Sequence, residues 1–151
     1  MRHTLSPIVL VASLALATAA QAAPHVESAW SRPAAQGAAG AGFMLVHNPD
    51  PRADALVGAE AAIARETQIH RTTVTDGVAR MQRQTAAAIP AGGRLIFAPG
   101  GYHLMFMGLS RPLKVGERFP VTLVFSSGAR VKTDFVVGVT PPAGGGHDHK
   151  H

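Results

Sequence analysis

Cysteine is absent from all 151 residues, and this absence excludes more than any residue present. Without a thiol there is no structural disulfide, no Cys-based zinc site, no thioredoxin-like redox pair, no blue-copper centre of the His₂Cys type and no cysteine for a lipid anchor. A soft metal, if one is bound, must be held by thioether and imidazole. Blocks of like charge are also missing. The formal charge is +5, one unit of which leaves with Arg2 if the N-terminus is removed, and the arginines are spread singly, which argues against a nucleic-acid partner. Neither a Ser/His/Asp set, nor a nucleophile motif, nor a carboxylate pair stands in the strand blocks, so no enzyme is expected.

What is present at the start reads as an export signal. Arg2 and His3 precede an apolar stretch from Ile8 to Ala20, and Ala20-Gln21-Ala22 follows. A positive start, a short apolar run and an Ala-x-Ala site make a secretory signal peptide, and the run is too short to span a membrane. Cleavage is expected after Ala22, since a cut after Ala23 would put Pro24 directly behind the scissile bond. The expected division is a signal peptide at 1–22, one domain at 23–140 and a flexible His-rich tail at 141–151. The location expected is the periplasm, without a membrane anchor.

From Pro24 onward, short β-rich runs alternate with Gly, Pro, Asn and Asp. The strands expected are His25 to Arg32, Gly42 to His47, Ala55 to Glu60, Glu66 to Val74, Val78 to Gln84, Arg94 to Ala98, Tyr102 to Met107, Phe119 to Ser126 and Arg130 to Val139. This spacing predicts an all-β antiparallel sandwich or barrel. Asn48-Pro49-Asp50-Pro51 should be a surface loop and Ser127-Gly128 a hairpin turn. Ala61 to Arg65 is compatible with a helical turn or an Ala-rich loop. Trp30 and Tyr102 read as core aromatics.

Asp76-Gly77 is the sharpest local signal. Both residues tolerate the positive φ of a type I′ turn, and a two-residue loop pairs Thr75 with Val78, Thr72 with Met81 and His70 with Arg83. His70, Thr72, Met81 and Arg83 then share one face, with His70 and Met81 as diagonal neighbours. On the strand after Gly100-Gly101, His103, Met105 and Met107 also share a face, opposite Tyr102, Leu104 and Phe106. Each of these residues alone has an ordinary reading, His70 as a surface position and the methionines as core fillers.

Their spacing is distinctive: His70, ten residues, Met81, twenty-one residues, His103, one residue, Met105. With Glu66-Thr67-Gln68-Ile69-His70, Thr75-Asp76-Gly77-Val78-Ala79-Arg80-Met81 and Pro99-Gly100-Gly101-Tyr102-His103-Leu104-Met105, it resembles the PCuAC family of periplasmic copper(I) chaperones. The likeness runs from Ala29-Trp30-Ser31-Arg32 through Leu109 to Phe125. The family commonly has Tyr where Phe43 or Met44 stands, a difference of packing.

The resemblance implies a cupredoxin-like (Greek-key) antiparallel β-sandwich that binds copper(I) through His70, Met81, His103 and Met105. It implies delivery to a cytochrome c oxidase subunit for assembly of the dinuclear copper centre, directly or with a thiol-bearing copper chaperone; a monomer is expected. The chemistry agrees. Copper(I) is a soft monocation that accepts thioether and imidazole, whereas harder divalent ions gain little from Met. Thioethers need no deprotonation, so acid should weaken binding only through the two histidines. Copper buffering without a dedicated acceptor, or a sandwich that binds no metal, are the competing readings. Met107 is expected as apolar cover, and Met44 and His47 as structural. His147, His149 and His151 offer imidazoles for copper(II), zinc or nickel, or form a solvated end. An N-terminal copper(II) site at His25 is blocked, since Pro24 has no amide hydrogen.

Overall fold

Ten strands and no helix make up the secondary structure of residues 20–143, the part that the computed structural model describes. The apolar run before Ala20, expected as part of a signal peptide, lies outside the described residues, as do His147, His149 and His151. The strands are β1 (His25–Ser31), β2 (Gly40–His47), β3 (Asp54–Glu60), β4 (Ala64–Thr75), β5 (Val78–Gln84), β6 (Ala87–Ile89), β7 (Arg94–Phe97), β8 (Tyr102–Leu109), β9 (Arg118–Phe125) and β10 (Arg130–Val137). They are hydrogen-bonded in the order β5-β4-β8-β7-β2-β1-β10-β9-β3-β6, with β2 also pairing β8. Nearly all neighbours are antiparallel; β1 with β10 and the single β7–β8 pair are parallel.

Alternation explains which residues go inside. On β9, Phe119, Val121, Leu123 and Phe125 are buried at every second position, and on β8 so are Leu104 and Phe106. The two halves of the strand order fold face to face, so Phe106 of β8 meets Phe119 and Phe135 edge-on at ring-centroid distances of 5.2 and 5.7 Å. Edge-to-face contact of this kind adds about 0.5–1.5 kcal/mol per pair beyond burial. Gly42 of β2 sits under this cluster, where a Cβ would lie 2.7 Å from Phe106 and 3.0 Å from Phe135. Only glycine lets β2 cross there.

The structure adds three details to these expectations. The Asn48 to Pro51 loop does not lie loose on the surface, for Asn48 and Asp50 are 1% and 3% exposed. The Asn48 amide donates to the Arg52 and Pro90 carbonyls, and Asp50 accepts from the Arg52 backbone and guanidinium, so the loop's polar groups are paired inside. Ala61 to Arg65 holds no helical turn, and β4 begins already at Ala64. Ala87–Ile89 is a strand that the sequence did not suggest, being short and mostly Ala, a poor β-former. Trp30 is buried as expected, yet it packs on Phe43, 4.8 Å away, and the Arg32 guanidinium lies over the Phe43 ring. Tyr102 is half-buried at the edge of the main core.

Candidate metal centre

The site starts from the Asp76-Gly77 turn, whose φ angles of 53° and 74° are both positive. That is the mirror-image turn that matches the twist of two antiparallel strands. It sets the pairing of β4 with β5 as Thr75 with Val78, Thr72 with Met81 and His70 with Arg83, the register expected from the sequence. On its other side β4 pairs with β8, which places His70 opposite His103 and Gln68 opposite Met105. Opposed residues share a face, and so do residues two apart along a strand. His70, Met81, His103 and Met105 therefore lie on one face of β5-β4-β8, while Ile69 and Leu104 are buried from the other.

The four are not placed alike. His70 and His103 are direct partners, with ring centroids 5.7 Å apart and planes inclined by 56°. Met105 stands on one diagonal of His70 and Met81 on the opposite one, each about 7–8 Å away by backbone spacing. His103 is 4% exposed; Met81, on the edge strand, is 56% exposed. The register thus pairs the two histidines and sets one methionine on each diagonal of His70, Met81 being the exposed one. Met107, opposite Glu66, is one same-face step beyond Met105, and Met44 is buried in the main core.

Hydrogen bonding leaves a free lone pair on each ring. His103 Nδ1 is 3.1 Å from the Gly101 carbonyl oxygen, and His70 Nε2 is 2.8 Å from Gln68 Oε1. Carbonyl oxygens only accept, so these two nitrogens carry the protons. His103 Nε2 and His70 Nδ1 are then bare acceptors, and both are buried without a hydrogen-bond partner. Each such orphan costs about 1–3 kcal/mol unless something pairs with it. Burial, and then the positive charges that His103 and Arg83 can present, hold His70 below the ordinary imidazole range, which keeps it in the neutral, ligating form. The Arg83 guanidinium is itself engaged by Glu66 at 2.8 Å.

Two positioning groups were not singled out from sequence. Gln68 lies two residues before His70 on the same strand face, a signal that alternation carries. The Gly101 carbonyl has no such mark, because any residue type offers one. Two neutral imidazoles and two thioethers make a soft, uncharged donor set.

Residues 25–137 match the model of a family described as LpqE-like and named for a lipoprotein. A protein of Leifsonia xyli subsp. xyli (strain CTCB07), Lxx21020, also named as a lipoprotein, is 40% identical over 106 residues, 70% of this chain and 63% of that protein. The chain thus spans under two thirds of that relative's length. Among solved structures, the copper-bound PCuAC domain from PmoF2 is similar with a TM-score of 0.66 at 29% identity, over 81% of this chain and 97% of that domain. The copper(I) form of DR1885 from Deinococcus radiodurans is 33% identical with a TM-score of 0.57, over 74% of this chain and 77% of that one. The sandwich has the cupredoxin-like fold of these PCuAC domains.

Proposed function

This chain belongs over residues 25–137 to the LpqE-like family, and from its likeness to the copper-bound PCuAC domain of PmoF2 and the copper(I) form of DR1885 we infer that it carries copper(I) as cargo and hands it to an acceptor. His70 Nδ1 and His103 Nε2 are the nitrogen donors, and Met81 and Met105 supply sulfur. The observation that carries this reading is the pair of buried, partnerless lone pairs on facing imidazoles. Each ring donates its other N–H to a carbonyl oxygen, as metal-bound histidines commonly do.

The donor set selects the ion. Neutral nitrogen and thioether leave one net positive charge on bound copper(I), a smaller desolvation problem than a divalent ion would pose. Exposed Met81 is the ligand that exchanges first, which gives an acceptor a way in without unfolding the site. A soft, exchangeable donor set suits a carrier rather than an enzyme.

We place the protein in the periplasm, exported by residues 1–22 and working as a monomeric domain over 23–140. Its destination is the dinuclear copper centre of cytochrome c oxidase, reached directly or through a thiol-bearing chaperone. The test is a titration against a copper(I) chelator, wild type beside His103→Ala. Wild type is expected to take copper from the chelator and the variant to leave it there; equal failure of both ends the reading. Transfer from the loaded protein to an oxidase copper domain then separates delivery from buffering.

A further inference from the structure

A second cluster of donors lies on β1 and β2. His25 and His47 are direct cross-strand partners, and their imidazoles stack with centroids 4.6 Å apart and planes only 9° from parallel. Glu27, two residues after His25, is on the same face, and its Oε1 lies at the Nε2 edge of both rings, 3.6 Å from His25 Nε2 and 3.4 Å from His47 Nε2. The three donor atoms all lie within 4.8 Å of one another.

We propose that His25, Glu27 and His47 form a second metal site, for a borderline divalent first-row ion such as zinc(II). Three features carry it. Nitrogen and oxygen ligands about 2.0–2.1 Å from a tetrahedral zinc are spaced about 3.3 Å apart, and both His–Glu separations are close to that edge already. His47 Nε2 is buried and has no hydrogen-bond partner, so the 3.4 Å contact with Glu27 is proximity without a bond. The chain is also held on both sides of the cluster. The Asn48 backbone N–H donates to the Gly93 carbonyl just past His47, and the β1–β2 register shifts just past Glu27, where Ser28 has a φ of 52°.

The donor types set the ion apart from the cargo of the first site. Imidazole with a carboxylate suits zinc(II) or copper(II), and the cluster offers no thioether to favour copper(I). One carboxylate and two neutral imidazoles offset part of a divalent charge. Arg94, opposite His47 on β7 and exposed, opposes it. Three protein ligands leave a fourth position open, the pattern of an exchangeable site rather than a closed structural one.

The experiment uses the full chain with its first site filled by copper(I), titrated with zinc chloride and followed by calorimetry and by the imidazole NMR signals. Wild type is expected to bind one equivalent of zinc more than Glu27→Gln and His47→Ala, with the His25 and His47 resonances shifting together. Arg94→Gln should bind that equivalent more tightly. Glu27 is half exposed, so Glu27→Gln reports on the ligand and not on folding; bound copper(I) and unchanged amide spectra check this. Identical zinc isotherms for wild type and Glu27→Gln, or zinc shifts confined to other histidines, overturn the proposal.

Discussion

Two pairs of imidazoles face each other across strands of this sheet, and they differ in the third partner. His70 and His103 stand on β4 and β8 between two thioethers, with their free nitrogens buried. His25 and His47 stand on β1 and β2 with the Glu27 carboxylate beside both Nε2 atoms, nearer to water. A histidine pair with sulfur would suit a soft ion, and one with oxygen a borderline ion. On this reading metal preference lies in the same-face neighbours, Met105 two residues from His103 and Met81 diagonal to His70 in one region and Glu27 two residues from His25 in the other, and not in the histidines.

The largest effect should come from exchanging losses between the two regions. His103→Ala should weaken copper(I) binding by more than about 100-fold, beyond the 10–100-fold typical of outer partners, and leave the extra zinc equivalent in place. His47→Ala should do the reverse. Chelator competition for copper(I) and calorimetry for zinc read both, and a variant that loses both metals would dissolve the distinction. Gln68→Ala comes next. It removes the acceptor that fixes the His70 proton on Nε2, and copper(I) affinity should fall by about 10–100-fold with the zinc response unchanged.

The framework that both regions share is tested by Gly42→Ala, whose Cβ would press on Phe106 and Phe135. Overpacking of this kind costs about 1–3 kcal/mol, measurable by urea denaturation, and it should lower global stability without favouring either metal. A smaller effect concerns acid. The folded-state pKa of His70 is lowered by burial, then by His103 and Arg83, so the fold accommodates the neutral ring. The stability linked to it is complete above the ordinary histidine value of about 6.5 and is lost as pH falls through the lower folded-state value. The metal-free His70→Gln protein should lose less stability over that window, by denaturation at stepped pH. Least affected should be the stability of Met81→Leu. Met81 is exposed, so the change should lie within about 0.5 kcal/mol, while copper(I) binding falls sharply.

Much of the first region was legible because its signals are local. Asp76-Gly77 fixes a turn, the turn fixes a register, and the register puts His70 and Met81 on one face. The two-residue period did the same for His103 and Met105. What the sequence did not carry is the pairing of β4 with β8 that sets His70 opposite His103, since strands far apart in the chain find each other through the whole core. The second region fell outside it for the same reason. His25 and Glu27 are two apart on one strand, but their meeting with His47 depends on a β1–β2 register with an irregularity at Ser28, and no short turn announces it. Ala87–Ile89 was missed differently, since three residues rich in Ala give neither length nor propensity.

We propose that one copper(I) ion is held by two sulfurs and two nitrogens from His70, Met81, His103 and Met105. X-ray absorption at the copper edge, on the full chain loaded with a single equivalent of copper(I), tests it most directly. The expected shell has two sulfur and two nitrogen scatterers in wild type and one sulfur fewer in Met81→Leu. A shell of nitrogen and oxygen alone in wild type, or an unchanged sulfur count in Met81→Leu, would contradict it.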